Sequence, residues 1–393
     1  MTPETIDRIF IIWKHWLLSY APAGVQPLFS ALLSVVPVLA VFPLLFAITT
    51  VLERKGLGRI QNRYGPNRVG PYGFFQPIAD GVKSLTKEDV VPRTADQAVH
   101  FLAPLLLVAA AFLAYAVLPV GRNMVVANLN AGVLFFFAVG SLVELAVFMA
   151  GWSSRNKYSL LGAMRAIAQM ISYEVPLVLA SVVVIMAAGS LSTVTIVNMQ
   201  ASYTGIWPRW FVFTPWGFVG FVLFMIAATA EANRSPFDLP EGESEIVAGY
   251  YIEYSGFKFA LFFLGEYLGM FATSGMAITL FLGGWAAPFS FLTWVPSYFW
   301  FFAKLLVLIA GFIWVRGTLP RLRMDQLMNF AWKFMLPMTL LNIFVAGAWH
   351  FMAAGSVRWL VCAVLIFAPS VLLALGLEKG KKKIAARTYR FAE

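Results

Sequence analysis

Two classes of side chain are scarce in this 393-residue chain: metal-binding groups and charged groups. There is one cysteine, Cys362, and there are three histidines, His15, His100 and His350. An iron–sulfur cluster takes about four thiolates and a structural zinc about four Cys or His ligands, so neither is expected here. His100 reads as isolated in a loop and His15 lies near the N-terminus, which argues against a bis-histidine haem. A disulfide framework is excluded. The chain is expected to hold no metal site and no catalytic constellation of its own, and any electron-carrying cofactor falls to a partner.

Charge is the second shortage. Only 12% of residues are charged while 60% are hydrophobic, and the mean hydropathy is +0.77. Soluble domains carry about 25% charged residues, so a water-soluble globule is excluded. What the chain has instead is long apolar runs, each near the ~20 residues that cross a bilayer. Nine are readable: Leu28–Leu52, Phe101–Val120, Gly132–Trp152, Ile167–Gly189, Trp216–Ala230, Phe257–Trp285, Trp300–Val315, Phe334–Ala354 and Val357–Leu377. The runs are continuous rather than alternating, which excludes a barrel. The expected fold is an all-α polytopic bundle forming a single membrane domain over 1–393. Within it, 1–27 reads as an amphipathic interfacial segment, 28–354 as the core, and 355–393 as an extra helix with a basic tail. In Glu4–Tyr20, Ile6, Ile9, Phe10, Trp13 and Leu17 recur at helical spacing beside Asp7, Arg8, Lys14 and His15.

The formal net charge of +10 raises the question of nucleic acid, but its distribution answers it. Of 29 Lys and Arg, 23 fall in loop 53–100, in the loops after spans three, five and seven, and in the C-terminal tail. Five fall on the opposite side, so the rule that basic loops stay in the cytoplasm places the C-terminus there and the N-terminus outside a cell membrane. Nucleic acid is not an expected partner.

The few acids are then informative. Glu144, Glu174, Glu231 and Glu266 lie within or at the ends of four consecutive spans. A charged carboxylate costs about 2.5–3.5 kcal/mol at a helix centre unless it faces a polar interior. One such residue also fits a structural latch, but four fit a hydrated proton path better. A second group, Asp238, Glu241, Glu243, Glu245 and Glu253, crowds a loop on the basic side against Arg234 and Lys258 alone. Crowded carboxylates titrate as a coupled set; a solvated acidic loop is the plainer alternative.

Loop Glu53–Gly73 carries Arg54, Arg59, Arg63 and Arg68 among five glycines and two prolines, and Pro77–Lys87 after it forms a short interfacial helix. No Gly-Lys-Ser/Thr follows, so it is no phosphate loop. It suits a docking surface, a lipid head-group site, or a loop that only sets topology. Lys304, near the start of its span, is expected to snorkel. Lys379–Lys383 reads as an anionic-lipid and orientation signal.

Four strings carry a family resemblance: Glu53-Arg-Lys-Gly-Leu-Gly-Arg-Ile-Gln-Asn-Arg-Tyr-Gly-Pro-Asn-Arg-Val-Gly70, Trp152-Ser-Ser-Arg-Asn-Lys-Tyr running on to Glu174, Ala230-Glu-Ala-Asn-Arg-Ser-Pro-Phe-Asp-Leu-Pro-Glu-Gly-Glu-Ser-Glu245, and Val315-Arg-Gly-Thr-Leu-Pro-Arg321. Together they resemble the H-subunit family of respiratory complex I, the proton-pumping NADH:quinone oxidoreductase, over about residues 28–350. The resemblance implies a membrane component that forms most of a quinone chamber and begins a chain of buried acids toward pumping subunits. It implies quinone as substrate, with FMN and iron–sulfur clusters in hydrophilic partner subunits, and antiporter-type membrane subunits alongside. Glu53, Arg54, Asp80, Lys83, Asp238, Glu241, Glu243 and Glu245 match quinone-chamber positions, with Arg316 and Arg321 near the tunnel. Glu144, Glu174, Glu231 and Glu266 match proton-path acids. Arg155, Lys157 and Arg165, with Arg59, Arg63 and Arg68, are expected to face the hydrophilic partners. The equivalent component of a membrane-bound hydrogenase-type complex, a stand-alone cation/proton antiporter and a purely structural anchor remain alternatives.

Overall fold

The computed structural model describes residues 7–20, 22, 24–238, 248–352 and 355–379, the side chains of 374–379 excepted. Glu241, Glu243, Glu245 and the Lys381–Lys383 run lie outside the described residues.

The elements in chain order are α1 (Ile9–Ser19), α2 (Gln26–Ile60), α3 (Gln76–Thr86), α4 (Gln97–Ala114), α5 (Gly132–Ser153), α6 (Lys157–Ala188), α7 (Thr193–Gln200), α8 (Pro215–Glu231), α9 (Gly256–Phe281), α10 (Ser297–Thr318), α11 (Met324–Phe330), α12 (Leu336–Phe351) and α13 (Ser356–Lys379). A two-residue hairpin, β1 (Tyr203–Thr204) with β2 (Trp207–Pro208), sits between α7 and α8. The protein is thus an all-α membrane bundle. Among the described residues eight helical segments are long and apolar enough to cross a membrane. The remaining expected span, the fifth, Trp216–Ala230, is α8, an apolar helix of 17 residues, or roughly 25 Å at 1.5 Å per residue.

Local chemistry sets the helix ends. Asp96 accepts from the Val99 amide at 3.3 Å and Asn156 from the Tyr158 amide at 3.0 Å, satisfying first-turn donors of α4 and α6. Thr214 does the same for α8 at Gly217 N, 3.1 Å away, with Pro215 at the first helical position. α11 runs into α12 through a wide π turn, Ala331–Met335, so the expected span Phe334–Ala354 begins earlier, at Met324.

Four expectations change. α2 does not stop at Leu52: its 35 residues rise roughly 52 Å, well past a ~30 Å hydrocarbon core. Glu53–Ile60 are therefore helix, not loop. α6 likewise starts at Lys157, so Lys157 and Arg165 stand on a helix. His100 is inside α4, 1% exposed and stacked on Tyr254 with ring centroids 4.0 Å apart. At and just before α1 two of the four polar residues turn inward while Arg8 and His15 stay exposed: Lys14 Nζ donates to Ser34 Oγ at 2.6 Å, and Asp7 Oδ1 accepts from Ser297 N at 2.6 Å. Ile9, Phe10, Ile12, Trp13 and Trp16 face outward.

α9 is the centre of the bundle. Residues 270–281 are buried without interruption, and the helix packs on α2, α4, α8 and α10. Gly265 permits the closest approach, since a Cβ there would lie 1.8 Å from Leu107 Cδ2. The peripheral helices α2, α10, α12 and α13 expose Leu28, Val307, Phe344 and Leu372, as lipid-facing surfaces do.

Candidate functional site

The buried charges gather at the end of the bundle where α2, α8 and α10 finish and α9 starts. Glu53, 6% exposed, projects from α2. Its Oε2 accepts from Tyr267 OH at 2.5 Å, and its Oε1 is paired with Arg316 Nη1 of α10. The Arg234 guanidinium lies 3.8 Å from the Tyr267 ring centroid, a cation–π contact in a dry setting. Thr49, Glu53, Arg234, Met270, Phe312, Ile313 and Arg316 line a small, partly open cavity of about 10 Å³. Two positive groups, one carboxylate and an apolar floor suit an uncharged ligand with polar oxygens.

A larger cavity, about 70 Å³ and partly open, lies on the other side of α9. Its wall includes Glu231, Asn233, Tyr250 and Glu266 among the apolar residues of α4, α5 and α9. Glu266 Oε1 accepts from Tyr250 OH at 3.1 Å and from Tyr251 OH. Adjacent positions on a helix point about 100° apart, so Glu266 serves this cavity while Tyr267 reaches the Glu53 carboxylate. Gly140 of α5 stands against the carboxyl of Glu231: a Cβ there would make an ordinary contact, 3.7 Å from Oε1. Glu231 Oε2 and Asn233 Oδ1 are buried with no hydrogen-bond partner among the described residues, the signature of a site that holds water.

From Glu231 the acids continue. Glu144 and Glu174 interact electrostatically with it from α5 and α6, and their own carboxyls are within hydrogen-bonding reach of each other. Glu174 Oε1 also accepts from Ser141 Oγ at 2.8 Å. Glu266 and Glu231 thus share one cavity, and half-buried Glu174 and Glu144 lie within electrostatic range of Glu231, a series drawn from 122 positions of sequence.

One turn separates the two cavities. Residues 231–238 leave α8 with Glu231 and Asn233 in the larger cavity and Arg234 in the smaller. Arg234 and Asp238 are also within electrostatic range of Glu266. Asp238 lies 3.6 Å from Arg321, and Leu322 N donates to Pro236 O at 3.1 Å, tying the turn to the α10–α11 connection.

Of the other expected site residues, Arg54 and Asp80 form a 2.6 Å ion pair between α2 and α3, half-exposed and outside both cavity walls. Lys83 is exposed on α3. Arg59 lies over Tyr64 and Arg63 Nε donates to Gln61 Oε1 at 2.7 Å. Arg155 lies over Trp152 and Lys157 over Tyr158; these basic residues and Arg68 are exposed at the same end, while Arg165 is half-buried. Tyr254 beside them has its hydroxyl pushed up to about 12 by burial, opposed by a 3.4 Å contact with Ser153 Oγ. No group of three His, Cys, Asp or Glu side chains able to hold a metal occurs among the described residues.

Sequence reading missed Tyr267, Tyr250, Tyr251 and Asn233, and counted Arg234 only as a counter-charge. It also misread Lys304. This residue does not snorkel: its Nζ donates to Leu282 O, Gly284 O and Ala286 O at 2.7, 2.8 and 2.7 Å, with Trp210 4.1 Å away.

A sequence profile of the family described as NADH dehydrogenase matches residues 33–347. The NADH-quinone oxidoreductase H-subunit of Polaromonas naphthalenivorans is 45% identical over 350 residues, covering 88% of this chain and 97% of the relative. The protein of the same name from Carboxydothermus hydrogenoformans is 47% identical, covering 85% and 93%. That from Dehalococcoides mccartyi is 50% identical, covering 75% and 80%.

Proposed function

The chain belongs to the H-subunit family of NADH-quinone oxidoreductase, a membrane component of a multisubunit oxidoreductase, and we propose that it binds the quinone in the Glu53 cavity and passes the electrostatic consequence of its reduction to the Glu231–Glu266 cavity. One observation carries this reading: the 231–238 turn and α9 are common walls of both cavities.

Electrons arrive from partner subunits that hold the FMN and iron–sulfur clusters; this chain has one cysteine where a cluster takes about four thiolates. Thr49, Met270 and Phe312 hold the apolar part of the quinone, while Arg234 and Arg316 face the oxygens where negative charge develops. Positive groups already in place stabilise that charge without reorganisation. As the charge forms, Arg234 is drawn toward it and away from the acids on the far side of the turn. A proton is then taken up or released along Glu266, Glu231, Glu174 and Glu144, through water in the larger cavity. Asp238, together with Glu241, Glu243 and Glu245, supplies protons and negative charge at the mouth, with Arg321 as counter-ion. Antiporter-type membrane subunits continue the path. Arg54, Asp80 and Lys83 form the outer rim of the chamber, and Arg59, Arg63, Arg68, Arg155, Lys157 and Arg165 receive the hydrophilic partners. The C-terminus lies in the cytoplasm and the N-terminus outside.

A photoreactive quinone bound to the assembled complex tests the chamber. Labelling is expected on the segment Thr49–Glu53 and on Met270 or Phe312, competed by unmodified quinone. Labelling confined to other surfaces of the chain places the quinone elsewhere and ends this reading.

A further inference from the structure

We propose that Gln169 is the positioning residue that sets the shape of the 231–238 turn, and through it the relative placement of Glu231 and Arg234. The inference rests on the two-cavity reading above, in which that turn relays charge.

Gln169 stands on α6 with no exposed surface. Its Nε2 donates to Ala230 O and to Phe237 O, both at 2.7 Å. Ala230 belongs to the last turn of α8, where carbonyls have no intrahelical partner, and Phe237 closes the turn. One amide group therefore spans the turn from end to end. The residues it brackets are those that differ in allegiance: Glu231 and Asn233 to the larger cavity, Arg234 to the smaller.

The other bonds in the region do not do this. Asn233 N to Ala230 O, Arg234 N to Thr229 O and Phe237 N to Arg234 O are local and curl the chain, while Leu322 N to Pro236 O and Asn233 Nδ2 to Met170 Sδ, at 3.1 and 3.8 Å, each hold one point of it without spanning it. Tyr173, also on α6, packs its ring on Phe237 with centroids 5.5 Å apart, an apolar contact with weak directional preference. Two short hydrogen bonds in a dry site fix both distance and angle.

The residue type supports the same conclusion. Gln169 Oε1 is buried and has no hydrogen-bond partner among the described residues. The demand of the site is therefore for donors, which its two carbonyls take from Nε2. A methionine fills the space without donors. A glutamate sets a carboxylate against two carbonyl oxygens. Glutamine is the residue of this length that presents two donors from one atom.

The test uses the assembled complex reconstituted in proteoliposomes, with Gln169→Met and Gln169→His. NADH oxidation by a hydrophilic acceptor that bypasses the quinone counts intact complex. Quinone reduction and protons moved per electron are then expressed per complex. Gln169→Met is expected to lower quinone turnover per complex about tenfold, the scale of one buried hydrogen bond, and to lower protons per electron. Gln169→His keeps one ring N–H donor and is expected to fall between Met and wild type on both readouts. If Gln169→Met lowers only the amount of complex, leaving per-complex turnover and proton ratio at wild-type values, the role is structural and the inference is overturned. Should the Met variant fail to assemble, the His variant decides by the same per-complex comparison. Glu231→Gln, run in parallel, separates the levels. If it lowers protons per electron while both Gln169 variants are silent, only the positioning role fails. If it leaves the ratio unchanged, the two-cavity reading fails first.

Discussion

The two ends of the bundle handle an intramembrane charge in opposite ways. At one end Lys304 is saturated: three backbone carbonyls take its three hydrogens and Trp210 covers it. At the other end Glu231 Oε2 and Asn233 Oδ1 are buried without partners among the described residues, beside cavities. An amine bonded to three carbonyls is held in place, and ties α10 to the segment after α9. An incompletely paired acid beside water-sized space is free to exchange protons. In the first case the cost of burying charge is met by geometry; in the second, hydration would have to meet it, and the proposed proton path runs through that second kind of site.

The largest effect should come from stripping a charge at the under-saturated end. Arg316→Ala leaves Glu53 buried with one of its two bonds gone; losing one partner of a buried pair costs about 3–5 kcal/mol, so quinone reduction per complex should fall by about two orders of magnitude or more. Retention of wild-type turnover and KM would show that the Glu53 pair is only scaffolding, and would erase the contrast between the ends. Lys304→Met should act in the reverse sense. Three carbonyls lose a charged donor, and with hydrogen bonds to charged groups worth about 1.5–3 kcal/mol each, the complex should unfold at a temperature several degrees lower. Its turnover and proton ratio per complex should not move; a changed proton ratio would make Lys304 part of the path.

The smallest effect concerns Tyr254 at the rim. Its hydroxyl is held at about 12 by burial, above the ordinary value of 10. The neutral form is thus favoured in the folded protein: the contribution is intact below pH 10 and lost as pH rises toward 12. Hydrogen exchange of segment 249–256 should quicken across that window in the wild type and lose that component in Tyr254→Phe. An identical profile in both proteins assigns the alkaline loosening to another group.

Much of this was legible in the sequence, for identifiable reasons. Apolar runs near 20 residues located the helices, because the bilayer imposes their length. The four intramembrane glutamates stood out because charge is so rare. Helix ends were misplaced where charged residues continue a helix beyond the lipid, as at Glu53–Ile60 and Lys157–Arg165: hydropathy reports depth in the membrane, not backbone conformation. The cavities were not legible, since each is a product of packing between distant helices. Tyr267 follows Glu266 directly, yet the turn of α9 sends Glu266 to the larger cavity and Tyr267 to the Glu53 carboxylate. Lys304 was read as snorkelling because its cradle comes from residues 282–286, which no local pattern connects to it.

The central claim is that two cavities sharing one turn link quinone chemistry to proton movement. Protons moved per electron in proteoliposomes carrying Glu231→Gln complex test it most directly, because this change leaves the quinone cavity wall untouched. Quinone reduction should continue, slower, while the protons moved per electron fall well below the wild-type ratio. A wild-type ratio at any measurable rate of quinone reduction contradicts the claim.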